Sequence, residues 1–237
     1  MAESPPLQPF DPATHKALVV FDVETTGLNC DTCNIISVSA SCNGKKFNSF
    51  VNPLKPIPEQ ATAVNGITDA DVANAPTWAT VGKDFLHWIF ETAGAQPILC
   101  AYNGTTFDLH FLLSHNFRHL KPDDYPSFTS VKLTDPIVEA RMLIARSEGI
   151  KNYKQATLYE WLFGEPPNGV HTSSGDVAAL ERIVQHELFR DRVIERARVV
   201  RDITGAHYDA QRAAEEAFER ARVAAWRTSQ KLKRTKK

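Results

Sequence analysis

Asp22 and Glu24 close the apolar, β-branched run ALVVFDVE at 17–24, a place where carboxylates are least expected. Side chains alternate along a strand, so residues two apart project from the same face. Both acids therefore leave one face of a segment that otherwise reads as buried. Two more acids hold comparable positions. Asp108 starts a helical pattern shortly after an apolar run at 97–102, and Asp176 lies in the first turn of another, just after His171-Thr-Ser-Ser-Gly175. Taken singly, these are ordinary features, a solvated strand end or an acid that complements a helix dipole. In an open α/β sheet, however, strand ends and the starts of the following helices converge on one crevice. Four carboxylates gathered there would repel one another unless cations neutralised them. Two hard divalent ions with oxygen ligands meet that need, and such a pair stabilises both oxygens of a phosphoryl displacement. His171 stands in a Thr/Ser/Gly-rich loop rather than on an apolar face, which suits a general base that takes a proton from attacking water.

The elements that would position these residues are legible in the patterning. Strands are expected at 17–24, 34–42 and 45–51, with Asn43-Gly44 as a hairpin turn between the last two. A proline-bearing connection leads to a helix over 77–93, a fourth strand at 97–102, a helix over 106–119 and a short fifth strand at 129–133. Asp135 and Pro136 then form a helix start as cap and first residue. Further helices are expected at 155–163 and 174–188. Three strands followed by alternating helices and strands indicate an α/β domain with a mixed sheet. Beyond Phe189 there are no strand signals. Val193, Ala197 and Val200, then Ala214, Phe218, Ala221 and Ala225, recur at helical spacing, which predicts an amphipathic helical extension. The expected organisation is a loose lead-in at 1–16, a domain at 17–188, the extension at 189–230 and a basic tail at 231–237.

The chain carries a net charge of −1, which points to no polyanionic partner by itself, but from Arg220 to Lys237 every charged residue is basic. No apolar run approaches bilayer-crossing length, and the first residues lack the basic start and apolar stretch of a signal peptide. The expectation is an intracellular protein of cytoplasm or nucleus, away from membranes, whose Cys30, Cys33, Cys42 and Cys100 stay reduced. Cys30 and Cys33 have the spacing of half a zinc site, with no second pair to complete it. His115 and His119 are four apart on a helix without a third ligand, and a solvated face is the expected setting for both.

Phe21-Asp22-Val-Glu24-Thr-Thr-Gly-Leu28, Asn103-Gly-Thr-Thr-Phe-Asp108 and His171-Thr-Ser-Ser-Gly-Asp176 resemble the three motifs of the DEDDh 3′→5′ exonucleases. The segment through Ala61-Thr-Ala-Val-Asn-Gly-Ile-Thr-Asp69 resembles the group's connection between its first two motifs. Within the group, the chain looks most like the three-prime repair exonucleases and the proofreading subunit of DNA polymerase III. It departs from the former at Tyr102, where histidine is common, and at Phe107, where tyrosine is common. The resemblance implies an RNase H-like, five-stranded mixed sheet with its second strand antiparallel, flanked by helices. It implies two Mg²⁺ ions, replaceable by Mn²⁺. Asp22, Glu24 and Asp176 would hold one ion and Asp22 and Asp108 the other, with His171 activating water. It also implies that Thr25, Thr26 and Leu28 grip the 3′-terminal nucleotide, that the segment from Val64 to Ile67 walls its pocket, and that Tyr102, Asn103 and Phe107 lie near the substrate phosphate.

The expected substrate is a single-stranded or frayed 3′ end of DNA. RNA trimming is the nearest rival, but the strand end reads Glu24-Thr-Thr-Gly27 where oligoribonuclease-like proteins usually have Glu-Met-Thr-Gly. A non-catalytic binding module would be expected to have lost one of the five motif residues, and all five are present. The amphipathic extension suits docking on a second copy of the chain or on a polymerase or repair protein.

Overall fold

The computed structural model describes residues 18–121 and 131–200. One mixed sheet runs in the order β3-β2-β1-β4-β5-β6. Its strands are β1 (Leu18–Thr25), β2 (Ile35–Cys42), β3 (Lys45–Phe50), β4 (Ile98–Cys100), β5 (Lys132–Thr134) and β6 (Arg198–Val199). The helices are α1 (Glu59–Asn65), α2 (Asp69–Val72), α3 (Trp78–Ala93), α4 (Asp108–His119), α5 (Pro136–Leu143), α6 (Gln155–Phe163), α7 (Ser173–Gln185) and α8 (Arg192–Glu195). The turn between β2 and β3 falls at Asn43-Gly44, both left-handed at φ 51° and 76°, as a two-residue hairpin of this hand requires. Parallel β1, β4 and β5 make the centre, while β2 runs against its neighbours.

The two faces of the sheet differ in chemistry, and β1 and β2 show why. Leu18 and Val20 join the core formed with Leu180, Ile183 and Val184 of α7. Asp22 and Glu24 continue the same row of alternate residues toward the strand end. On β2, Ser37, Ser39 and Ser41 share that face, and α7 satisfies them: Ser173 Oγ lies 2.8 Å from Ser37 Oγ and 2.7 Å from Ser39 Oγ, and Ser41 donates to Glu181. The opposite face carries Phe21, whose ring meets Phe85 of α3 at 6.3 Å. A smaller apolar cluster of Ile36, Ile57, Ile67 and Val72 seats α1 and α2 beside the sheet. No helix among the described residues is long and apolar enough to cross a membrane.

Three expectations require correction. Among the described residues the sheet has six strands, not five, because Arg198 and Val199 pair antiparallel with Leu133 and Lys132 of β5. The helical spacing of Val193, Ala197 and Val200 does not produce one helix. α8 stops at Glu195, and Val200 instead donates its N–H to the Val131 carbonyl at 2.9 Å. An open edge on β5 decides the matter, together with full burial of Phe189, Val193 and Val200. Tertiary pairing thus overrides a local pattern. The lead-in at 1–16, the expected helices beyond Val200, the basic tail and the first part of the expected strand at 129–133 lie outside the described residues.

The third correction concerns His115, which is buried rather than solvated, while His119 is exposed. Its Nε2 accepts the Ile35 N–H at 3.1 Å, so the neutral ring carries its proton on Nδ1, facing the Phe111 carbonyl at 3.1 Å. Burial, with the charges of Arg118, His119 and Lys55 adding, pushes the imidazole down to about 3. Neutral His115 therefore stabilises the fold above the ordinary histidine pKa of about 6.5, and that contribution drains away as pH falls toward about 3. His115→Gln can still accept a hydrogen bond but cannot titrate. The Tm advantage of the natural protein over this variant should narrow steadily between pH 7 and pH 4, as read by thermal melts.

Candidate active site

Asp22 and Glu24 lie half-buried at the end of β1, where a register shift between Glu24 and Thr25 breaks the regular ladder with β2. Asp108 is the first residue of α4 and only 3% exposed. Its Oδ1 accepts the Val23 N–H at 3.1 Å, which ties the start of α4 to the strand that carries the first two acids. Asp176 stands in the first turn of α7, where its Oδ2 accepts the His171 N–H at 3.0 Å. His171 itself is exposed and left-handed, at φ 64°. The turn that presents it closes tightly. Thr172 caps α7 by accepting the Gly175 N–H at 3.2 Å and donates to the Gly169 carbonyl at 2.7 Å. A Cβ at Gly175 would meet that carbonyl oxygen at 2.1 Å, so only glycine fits there.

All five motif residues line one cleft of about 570 Å³. Thr25, Thr26, Leu28 and Val64 line it as well, as do Tyr102, Asn103 and Phe107. Leu28 is 87% exposed and Val64 60%, an unusual cost for aliphatic side chains unless something apolar is meant to sit against them. The threonine hydroxyls are turned to local use: Thr25 donates to the Gly27 carbonyl at 2.6 Å, and Thr26 accepts the Asn34 N–H at 2.9 Å. Tyr102 likewise spends its hydroxyl on the Tyr153 carbonyl at 2.6 Å, so its ring, not its oxygen, meets the cleft. Ile67 is the expected wall residue that falls outside. It is buried in the small apolar cluster with Ile36 and borders a neighbouring cavity.

Two residues matter here that the sequence alone does not single out, one inside the expected wall segment and one read only as a helix cap. Asn65 lines the cleft, and its side-chain amide hydrogen-bonds the Glu24 carboxylate. It ends α1 just before left-handed Gly66, a helix-ending signal that disguised it. Asp135, read as a helix cap, caps α5 as expected but also grips the turn before α4. It accepts from the N–H of Asn103 at 2.8 Å and from both the N–H and the hydroxyl of Thr105 at 3.1 Å and 2.7 Å.

Oxygens of Asp22, Glu24 and Asp176 lie within 4.8 Å of one another. Asp108 is not part of that triplet but is the charge that most strongly opposes ionisation of Asp22. Burial raises Asp22 well above the usual carboxylate range, with Asp108, Glu24 and Asp176 adding in that order. Burial, then Asp176 and Asp108, pushes Glu24 up to about 8, against the opposing Asn65 amide. Burial pushes Asp108 up to about 7 even though the Val23 N–H opposes it, and Asp176 also rises by burial, held back by His171. Hard oxygen donors crowded until they resist ionisation fit a divalent cation, which would favour their charged forms.

The exonuclease family pattern matches residues 19–184 of this chain. A DNA polymerase III subunit epsilon-like protein of Rhodobacter capsulatus is 35% identical over 176 residues, covering 71% of this chain and 23% of that protein. The PolC-type DNA polymerase III of Streptococcus pneumoniae is 35% identical over 126 residues, covering 51% of this chain and 8% of that protein. Among solved structures, an E. coli exonuclease I complex with single-stranded DNA superposes with a TM-score of 0.61 at 16% identity, over 76% of this chain and 41% of that one. The chain thus spans less than a quarter of the first of these relatives and less than half of exonuclease I. It belongs to the exonuclease family, nucleases that hydrolyse phosphodiester bonds, and its mixed sheet with flanking helices is of the RNase H-like kind.

The raised carboxylates make stability depend on pH and on cations. In the folded chain they bind protons more tightly than in the unfolded one, so their contribution is full below about pH 4 and is lost as pH rises through about 7 and about 8. Above about pH 6.5 His115 no longer titrates, which isolates the effect. In EDTA, Tm should therefore fall between pH 6.5 and pH 8.5. A divalent cation at 100 times its Kd should restore about 2.7 kcal/mol at the upper end. A Tm unchanged by EDTA across that range would contradict the reading.

Proposed function

We propose that the chain removes nucleotides from DNA 3′ ends in the 3′→5′ direction, using two divalent cations, Mg²⁺ or in its place Mn²⁺, and His171 as general base. The observation that carries the reading is the convergence of Asp22, Glu24 and Asp176 oxygens within 4.8 Å, with Asp108 and His171 on the same cleft. A cation pair there would polarise the scissile phosphate and lower the pKa of bound water. Asp22, Glu24 and Asp176 would hold one ion, and Asp22 with Asp108 the other. His171 takes the proton of the attacking water. Its backbone N–H on Asp176 fixes the loop from which the imidazole reaches the cleft. Leu28 and Val64 provide apolar walls for a base of any identity, which suits an exonuclease that must accept every terminal nucleotide. Relatives named as a DNA polymerase III subunit epsilon-like protein and as a PolC-type DNA polymerase III, with a fold shared with exonuclease I bound to single-stranded DNA, support DNA as the substrate and a polymerase as a partner.

Incubation with 5′-labelled DNA and RNA oligomers tests direction and sugar together. A ladder shortened from the 3′ end on DNA, absent in EDTA, is expected. Faster trimming of RNA would move the assignment to an exoribonuclease. Asp22→Ala should abolish cleavage yet leave the chain folded, because one of four repelling charges is gone. His171→Ala should lower the rate by about 10²–10⁴-fold, the usual contribution of a general base. Calorimetry should still detect cation binding to His171→Ala. A loss of that binding would make His171 a ligand instead.

A further inference from the structure

Leu28 rides on the loop between β1 and β2, residues 26–34. Thr26 closes the loop at its base by donating its N–H to the Asn34 carbonyl at 2.8 Å. Within it, Cys33 donates its N–H to the Asn29 carbonyl at 2.8 Å, so residues 29–33 form a helical turn. The carbonyls at the end of such a turn have no partner inside it. Here each of the four from Cys30 to Cys33 accepts from a side chain outside the loop. Arg118 of α4 donates to Cys30 at 2.8 Å, Asp31 at 3.3 Å and Cys33 at 3.4 Å. Ser114, one turn earlier on α4, also donates to Cys30, at 3.0 Å, and Lys55 donates to Thr32 at 2.6 Å. His115 takes the Ile35 N–H just beyond the loop.

We propose that Arg118 is a positioning residue: its guanidinium, seated on the carbonyls of Cys30, Asp31 and Cys33 with Ser114 beside it, sets the 26–34 loop so that Leu28 packs against the 3′-terminal base. The inference rests on the proposed function and adds to it the residue that determines the grip on that nucleotide. A planar guanidinium presents several N–H groups at fixed angles and can meet three carbonyls at once, which a lysine ammonium on its flexible stem cannot reproduce. The loop's own bonds, Thr26 with Asn34 at its base and the Asp31 N–H on Asn29 Oδ1 at 2.8 Å, close the turn on itself, whereas Arg118 and Ser114 tie it to α4. Gly27 packs so closely on Cys33 that a Cβ there would lie 2.7 Å from the sulfur, so a shift of the turn at 29–33 passes directly to the residue before Leu28. Arg118 is not among the residues lining the catalytic cleft, so its effect belongs in substrate affinity and not in the chemical step.

The test is steady-state kinetics of the full chain on a short DNA oligomer with Mg²⁺. Arg118→Ala should raise KM about tenfold, the lower end of what loss of an apolar pocket contact costs, and leave kcat within about threefold. Arg118→Lys and Ser114→Ala should give smaller increases, and both keep the test decisive if Arg118→Ala does not fold. Leu28→Ala should raise KM similarly, and adding Arg118→Ala to it should add little, since both changes remove one grip. An unchanged KM in Arg118→Lys and Ser114→Ala would overturn the proposal. So would a fall in kcat at constant KM, or additive effects of Leu28→Ala and Arg118→Ala. Failure of the proposed function would look different: the unsubstituted chain would shorten no oligomer.

Discussion

Repulsion among Asp22, Glu24, Asp108 and Asp176 is the constraint around which the rest of the domain is arranged. Four acids share one half-buried cleft, and burial alone already penalises each charge. A fold left to optimise its own stability would disperse them. Their neighbours instead hold them in place with donors that leave oxygens free. The Val23 N–H takes one oxygen of Asp108, the His171 N–H one of Asp176, and the Asn65 amide meets Glu24. None of these donors carries a positive charge, so the negative potential persists for cations. Asp108 and Asp176 also stand in the first turns of α4 and α7, where the helix dipole offsets part of the cost.

That arrangement explains why the surrounding scaffold is so heavily cross-tied. Asp135 gathers Asn103 and Thr105, which fixes the entry to α4 and so the position of Asp108. Gln155 of α6 donates to the Asp176 carbonyl at 2.7 Å, which anchors the first turn of α7. The serine row of β2 meets Ser173 and Glu181, so the same helix is gripped along its length by hydroxyls on an otherwise apolar sheet. Hydrogen bonds of this kind contribute only about 1 kcal/mol each to stability. Their value lies in direction, because they define where the acids sit against a force that would spread them.

What could be read from the chain follows the same division. The acids were visible because each contradicts its local pattern: Asp22 and Glu24 interrupt a buried strand, and alternation alone puts them on one face. The hairpin at Asn43-Gly44 and the cap at Asp135 were visible because their signals are local. β6 was not, since two residues in an arginine-rich stretch become a strand only when the edge of β5 is there to pair with them. His115 failed for the same reason. A histidine four residues from another on a helix looks solvated until α4 is packed so that Ile35 presents its N–H. Ile67 is placed in the pocket wall by motif likeness, but a single left-handed glycine, Gly66, separates it from Asn65, and the turn there sends Ile67 into the small apolar cluster while Asn65 lines the cleft beside Glu24.

Tyr102 and Phe107 show how a departure from a motif can be absorbed by structure. Neither offers a free polar group to the cleft. The Tyr102 hydroxyl is bound to the Tyr153 carbonyl, and Tyr153 in turn donates to the Ile144 carbonyl at 2.6 Å, so one tyrosine pins the other against the segment after α5. Phe107 immediately precedes α4, and its ring meets that of Phe111 at 4.9 Å. Both rings are thereby held as apolar surface in the cleft that Leu28 and Val64 also line, which gives it aromatic area where the related motif would supply hydrogen bonds. Stacking on such surface is indifferent to base identity and contributes about 1–3 kcal/mol per base. In the proposed reaction the hold on the substrate would therefore shift from polar contacts near the phosphate to apolar contacts with the bases, while the four acids keep the negative potential that the proposed chemistry requires.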